Sequence, residues 1–149
     1  MSTPDVRTHS AYHVLKGAVV NVLGPHKTSS VRVSGKSGEL TVEFDRNPTP
    51  DEVRAIEEAA NRKIAENSEV LQFEMERQEA EGHFGDAVYD ASRDPAVTLL
   101  TIVRIPDWEV DCCAQEHVDT TGELVGLKVD RVTFTDASKL LEFEFHIEG

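Results

Sequence analysis

Apolar positions near the start of the chain recur at helical spacing. Ala11, Leu15, Ala18, Val19 and Val22 fall on one stripe, the i, i+3, i+4 recurrence of a core-facing helix side. Thr8 or Ser10 is placed to cap the start, and Gly24-Pro25 ends it. On this wheel His9, His13 and Lys16 lie nearly opposite the stripe, toward solvent or a cleft. The pattern then changes to period two. Val31-Arg32-Val33 and Leu40 to Phe44 flank Ser34-Gly35-Lys36-Ser37-Gly38 and predict a β-hairpin. Its loop lacks the G-x-x-x-x-G-K-[ST] spacing of a phosphate-binding loop and does not lead into a helix.

A second helix is announced by Thr49-Pro50-Asp51-Glu52: a cap, a proline suited to the first helical position, and a glutamate completing a capping box. Val53, Ile56, Ala60 and Ile64 supply its apolar stripe to about Asn67. Leu71 to Met75 alternates as a short strand. Glu76 to Glu81 predicts a helical turn ended by Gly82, and His83 to Pro95 has no period and predicts a loop. Val97 to Ile105 is β-branched and apolar throughout, suited to a central strand buried on both faces and closed by Pro106-Asp107. Thr120-Thr121-Gly122-Glu123 reads as a turn. Leu127 to Phe134 alternates but slips register near Asp130-Arg131, as a bulge does. Leu141, Phe143, Phe145 and Ile147 alternate with polar residues in a final half-buried strand. The sum is an α+β fold, a largely antiparallel sheet with two main helices on one face.

Length fits one domain over residues 1–149, long enough for a hydrophobic core without staples. No apolar run approaches 18 residues, so neither a membrane span nor a secretory leader is expected. Cys112 and Cys113 are adjacent, which suits no disulfide framework and fits a reducing, cytoplasmic location. The formal net charge of −13 argues against a polyanionic partner. Its distribution qualifies that argument. Residues 1–38 hold five basic residues and one acid, whereas nearly all of the acidity follows. The basic portion coincides with the histidine-bearing helix; the alternatives are a local polyanion-binding face and chance within an acidic, solubilising surface.

His9 and His13 are four apart, which on a helix stacks two imidazoles on one face about 5–6 Å apart at Cβ. Cys113 and His117 are also four apart. Together they form a His₂ plus Cys-His donor set suited to one Zn²⁺. Either pair alone reads equally as ordinary exposed residues. A zinc protease is disfavoured, because Ser10 follows His9 where H-E-x-x-H enzymes place their general base. Four protein ligands close a tetrahedral site, while catalysis needs an open or fifth position. Firm ligation by the three histidines with Cys113 displaced is one resolution. Cys112 points elsewhere and packs. His26, His83 and His146 lack a partner at metal spacing.

Arg7-Thr8-His9-Ser10-Ala11-Tyr12-His13-Val14-Leu15-Lys16-Gly17-Ala18, the Cys113-x-x-x-His117 pair and Thr120-Thr121-Gly122-Glu123 resemble the editing domain of alanyl-tRNA synthetases. The likeness is greatest to its free-standing relatives, the AlaX alanyl-tRNA editing proteins. His83-Phe84-Gly85-Asp86 to Tyr89-Asp90 and Pro106-Asp107-Trp108 resemble the same family. With eight residues before His9, the likeness is to the short form, without the N-terminal β-barrel domain of longer members. Between Cys113 and His117 the synthetases usually carry glycines, where this chain has Ala114-Gln115-Glu116. The resemblance implies zinc-dependent hydrolysis of the ester in mischarged tRNA-Ala, chiefly Ser-tRNA-Ala, with Gly-tRNA-Ala as a further substrate. By position in the family, Thr28 would bond the serine hydroxyl, with Ser10 as the weaker candidate; a loop hydroxyl satisfied by backbone is the other reading of Thr28. Arg7, Lys16 and Lys27 would meet tRNA phosphates or serve as solvated charge. The alternative function is a non-catalytic, zinc-stabilised module that binds tRNA or the synthetase.

Overall fold

The structure is a computed structural model that describes residues 3–84 and 98–149. The chain opens with α1 (Pro4–Leu23), which is followed by β1 (Lys27–Ser34), β2 (Ser37–Glu43) and α2 (Pro50–Ala65). Next come β3 (Leu71–Glu76), α3 (Arg77–Phe84), β4 (Leu99–Ile105) and β5 (Glu109–Cys112). A 3₁₀ turn at Thr121–Leu124 leads to β6 (Leu127–Thr135) and β7 (Leu140–Ile147). The expected loop lies, from residue 85 onward, outside the described residues, as does Val97.

Among the described residues the strands are antiparallel throughout and form two sheets. The larger has the order β1-β2-β7-β6 and the smaller β3-β4-β5. In the larger sheet the period-two pattern does what it predicts. Leu40 faces Phe143 and Val42 faces Leu141 across β2 and β7, and all four are fully buried. The register slip of β6 falls between Val129 and Arg131, the bulge expected there. In the smaller sheet β4 is central, with Leu100 and Ile102 buried under Ala80 of α3. Its other face is only half covered, and Leu99 is exposed, so burial on both faces holds for part of the strand. Cys112 packs into this second cluster, as expected, beside Leu100 and Ile102.

α2 begins with the capping box anticipated from its sequence: Thr49 Oγ1 accepts from Glu52 N at 3.1 Å and Glu52 Oε1 accepts from Thr49 N at 2.9 Å. α3 runs past Gly82 to Phe84, longer than the single turn expected. α1 departs from expectation in two ways. Its cap is Thr3, which accepts from Val6 N, with Pro4 at the first helical position, so neither Thr8 nor Ser10 caps it. Both those hydroxyls sit inside the helix and bond carbonyls one turn back, Thr8 to Pro4 and Ser10 to Val6.

The second departure governs the site. Every residue of α1 from Thr8 to Val19 is buried. The apolar stripe packs against the large sheet and α2, as Leu15, Ala18 and Val19 share the main core with Leu40, Ile56 and Phe143. The polar face, expected to meet solvent or a cleft, is covered by β5 and the turn before it. Trp108 Nε1 donates to Val14 O at 2.9 Å. Gly17 makes room for that ring, since a Cβ there would lie 2.3 Å from Trp108 Nε1. α1 is thus the layer between the large sheet and the small one.

Candidate metal centre

α1 supplies two donors and the segment after β5 supplies the other two. His9 is 8% exposed and His13 fully buried. Cys113 and His117 are half-buried. Their donor atoms converge within 4.8 Å of one another, across more than a hundred residues of sequence. His9 Nε2 lies 3.2 Å from Cys113 Sγ, and His13 Nε2 lies 3.1 Å from His117 Nε2. A tetrahedral zinc with metal–nitrogen bonds of about 2.0–2.1 Å has donor–donor edges of about 3.3 Å. The observed spacing is close to that edge.

The chemistry of the donors tests the fit more sharply. His13 Nδ1 is 2.7 Å from Glu109 Oε2, and His117 Nδ1 is 3.4 Å from Gln72 Oε1. Both partners are oxygen acceptors, so each Nδ1 carries the proton. Each Nε2 then presents a lone pair, and the two lone pairs point at one another across 3.1 Å. Protonation does not relieve this clash. Burial, together with neighbouring imidazoles for His9 and His117, lowers His9 to about 4 and both His13 and His117 to about 3. At neutral pH all three rings are neutral bases facing a common point, which is the arrangement a cation satisfies. These residues fit Zn²⁺ in kind, number and spacing. Burial, the largest cause, pushes the Cys113 thiol up to about 11, so ligation must displace its proton.

The turn carrying Cys113 and His117 is held from several sides. Cys113 N donates to Thr101 O at 2.9 Å, extending the β5 pairing. Gln72 of β3 donates to the carbonyls of Gln115 and, more weakly, Cys113. Val118 N donates to Ser10 Oγ at 3.0 Å, tying the end of the turn to α1. Thr121 is fully buried; its Oγ1 accepts from Ser68 N and donates to Lys63 O. Ala114-Gln115-Glu116 is therefore clamped by side chains without the usual glycines. A cavity of about 260 Å³ opens beside His9, lined by Asp5, Val6, Val33, Gln115 and Glu116. It is smaller than a typical drug-sized pocket.

The other sequence-derived residues divide. Thr28 is on β1 rather than in a loop, 4% exposed, and its hydroxyl has no hydrogen-bond partner among the described residues. The backbone-satisfied reading of Thr28 therefore fails. Ser10 uses its hydroxyl twice within the fold, donating to Val6 O and accepting from Val118 N, which makes it a bracing residue. Lys27 is exposed and Arg7 half-buried. Lys16 is the correction. It is 5% exposed, with Nζ 3.0 Å from Glu109 Oε1 and 3.5 Å from Asp111 Oδ2. A buried ammonium paired with two carboxylates does not reach a phosphate.

Glu109, Asp111 and Gln72 lie around the centre and carry no role in the sequence reading. Asp111 Oδ2 accepts from Tyr12 Oη at 2.7 Å. Burial raises both Glu109 and Asp111, and Lys16 opposes that rise. A signal was present: Glu109 and Asp111 are two apart on a strand, hence on one face, beside a tryptophan and amid apolar residues.

An α+β domain of two antiparallel sheets, with a three-histidine, one-cysteine cluster between its central helix and the segment after β5, defines the class. No family model matches the chain. Among known proteins it is similar to the alanine–tRNA ligase of Thermofilum pendens, 34% identical over 128 residues covering 83% of this chain. It is also similar to those of Hyperthermus butylicus, 35% identical, and Metallosphaera sedula, 31% identical, each over 85% of this chain. The chain is homologous to a segment of the alanine–tRNA ligases and spans about 14% of their length. That segment-sized match fits an editing-domain-like protein. Among the described residues no helix is long and apolar enough to cross a membrane.

Proposed function

We propose that this chain is a single editing domain that hydrolyses the aminoacyl ester of mischarged tRNA-Ala in trans, with one Zn²⁺ per chain. The observation that carries the proposal is the convergence of the His9, His13, His117 and Cys113 donor atoms, with the His13 and His117 lone pairs opposed, in a chain homologous to a segment of alanine–tRNA ligases. When bound, zinc supplies Lewis acidity at the scissile ester. His9, His13 and His117 would hold it together with Cys113. Water is the nucleophile: it adds to the ester carbonyl and the terminal ribose hydroxyl of the tRNA leaves, so no side-chain nucleophile is required. The cytoplasm suits Cys112 and Cys113, neither of which is in a disulfide.

Selectivity falls to Thr28. A buried hydroxyl lacking a partner is costly by about 1–3 kcal/mol, and a serine hydroxyl offers the missing bond. Alanine offers none, so the correct product is spared. A site built to bond a substrate hydroxyl discriminates strongly against an analogue lacking it. Arg7 and Lys27 are the cations left to meet tRNA phosphates.

The test is hydrolysis of Ser-, Gly- and Ala-tRNA-Ala by zinc-loaded protein, with folded His9→Ala and Thr28→Val alongside. The serine ester should be lost and the alanine ester kept. His9→Ala should be inactive, and Thr28→Val should slow serine release by about 10–100-fold, the rate equivalent of one unpaired hydroxyl. Survival of all three esters with metal bound would sink the deacylase reading. The second reading, a metal-stabilised module that binds tRNA or the synthetase, is favoured by one observation: four protein donors close a tetrahedron. Metal that governs stability but not ester loss would select it.

A further inference from the structure

Glu109 and Asp111 project from β5 into the layer occupied by α1, and both are buried. Carboxylates so placed need partners. Asp111 accepts from the Tyr12 hydroxyl and from Cys112 N and pairs with Lys16, with His13 Nδ1 farther off at 4.0 Å. Glu109 divides its oxygens, one on Lys16 Nζ at 3.0 Å and the other on His13 Nδ1 at 2.7 Å. His13 therefore stands between two systems, with Nε2 in the donor cluster and Nδ1 on a carboxylate. His13, Glu109 and Asp111 on their own would make a second cation site. The Lys16 ammonium lies within 3.5 Å of both carboxylates and already supplies that cation.

Lys16 holds Glu109 by an ion pair, so the carboxylate is fixed before His13 meets it.

We propose that Glu109, anchored by Lys16, is the positioning residue of the metal centre: its carboxylate accepts the His13 Nδ1 proton and so fixes the tautomer and ring plane that aim Nε2 at the metal. This assignment rests on the metal reading of the four donors and is independent of which ester is cleaved. Its purely structural rival is that Glu109 serves only to neutralise Lys16. Loss of such an outer carboxylate typically weakens metal affinity about 10–100-fold, whereas loss of a neutralising pair alters stability alone.

The probe is Co²⁺ titrated into the full chain without tRNA. Replacing both members of the pair, Glu109→Leu with Lys16→Met, removes the acceptor for His13 Nδ1 without stranding a buried ammonium. The double variant should keep its circular dichroism and Trp108 emission. It should bind Co²⁺ about 10–100-fold more weakly, with an altered visible absorption band. Wild-type affinity and spectrum in the folded double variant would overturn the assignment. A second measurement needs no variant. Long-range ¹H–¹⁵N spectra of the zinc-loaded wild type should show His13 protonated at Nδ1 and ligated through Nε2, and the reverse tautomer would refute the role of Glu109. A wild-type chain that takes up no Co²⁺ would overturn this assignment and the metal reading together. A chain that binds metal as expected but leaves Ser-tRNA-Ala intact would overturn only the proposed activity.

Discussion

At the scale of single residues, the centre is a problem of protons. His9, His13 and His117 are held neutral by burial down to about pH 3–4, so above pH 5 they give up no proton to a metal. Cys113, raised to about 11, keeps its proton up to about pH 10. Metal binding between pH 5 and 10 should therefore release about one proton, and affinity should rise about tenfold per pH unit. Calorimetry in buffers of different ionisation heat measures that number directly. Cys113→Ser should bring it close to zero. A wild-type value close to zero would mean that Cys113 is not a ligand and that the three histidines bind alone.

The residue scale is also where the sequence was most legible. Two pairs at four-residue spacing marked the four donors, because helical and turn geometry are local. Lys16 was misplaced by the same local reasoning. A helical wheel with one apolar stripe assigns the opposite side to water unless a second layer covers it, and here Glu109 and Asp111 do so. The strand that carries them, β5, has no counterpart in the sequence reading, since four residues are too few to establish a period.

At the scale of elements, α1 depends on close approach to β5. Gly17 is the point of contact, facing Trp108, whose indole is fixed by its bond to Val14 O and lies 5.0 Å from Lys63 Nζ. Two effects compete in Gly17→Ala. Alanine raises helix propensity by up to about 1 kcal/mol. Overpacking a filled site costs about 1–3 kcal/mol, and a Cβ 2.3 Å from the indole nitrogen forces the ring to move. The ring cannot move freely, because Glu109 follows it directly. The steric term should win, lowering unfolding stability by about 1–2 kcal/mol. A urea midpoint read by the emission of Trp108, the single tryptophan of the chain, checks this; a midpoint raised by the substitution would show that the small sheet yields. The other elements were largely legible. The α2 box, the hairpin, the β6 bulge and the alternation of β7 follow from caps, turns and period two, each decided within a few residues.

At the scale of the whole molecule, the metal would tie two halves together. His9 and His13 belong to the layer packed on the large sheet, while Cys113 and His117 extend from the small one. Chelation should therefore lower global stability rather than loosen one loop. A metal free at a thousandfold over its dissociation constant contributes about 4 kcal/mol. Thermal unfolding with and without chelator measures the difference, and His9→Ala should unfold at one temperature in both conditions. An unchanged midpoint for the wild type would argue that the sheets are joined by α1 alone.

What the sequence determined by itself was local: where most helices and strands lie, which faces alternate, and which four side chains offer donors at ligand spacing. What only the tertiary structure decided was which of those faces is covered twice. Periodicity reports the preference of one element for burial. It carries no information about a partner strand a hundred residues away. The descent of β5 onto α1 turned a polar helix face into an interior. That packing paired Lys16 with Glu109, directed Glu109 to His13, and brought the two ligand pairs to one point.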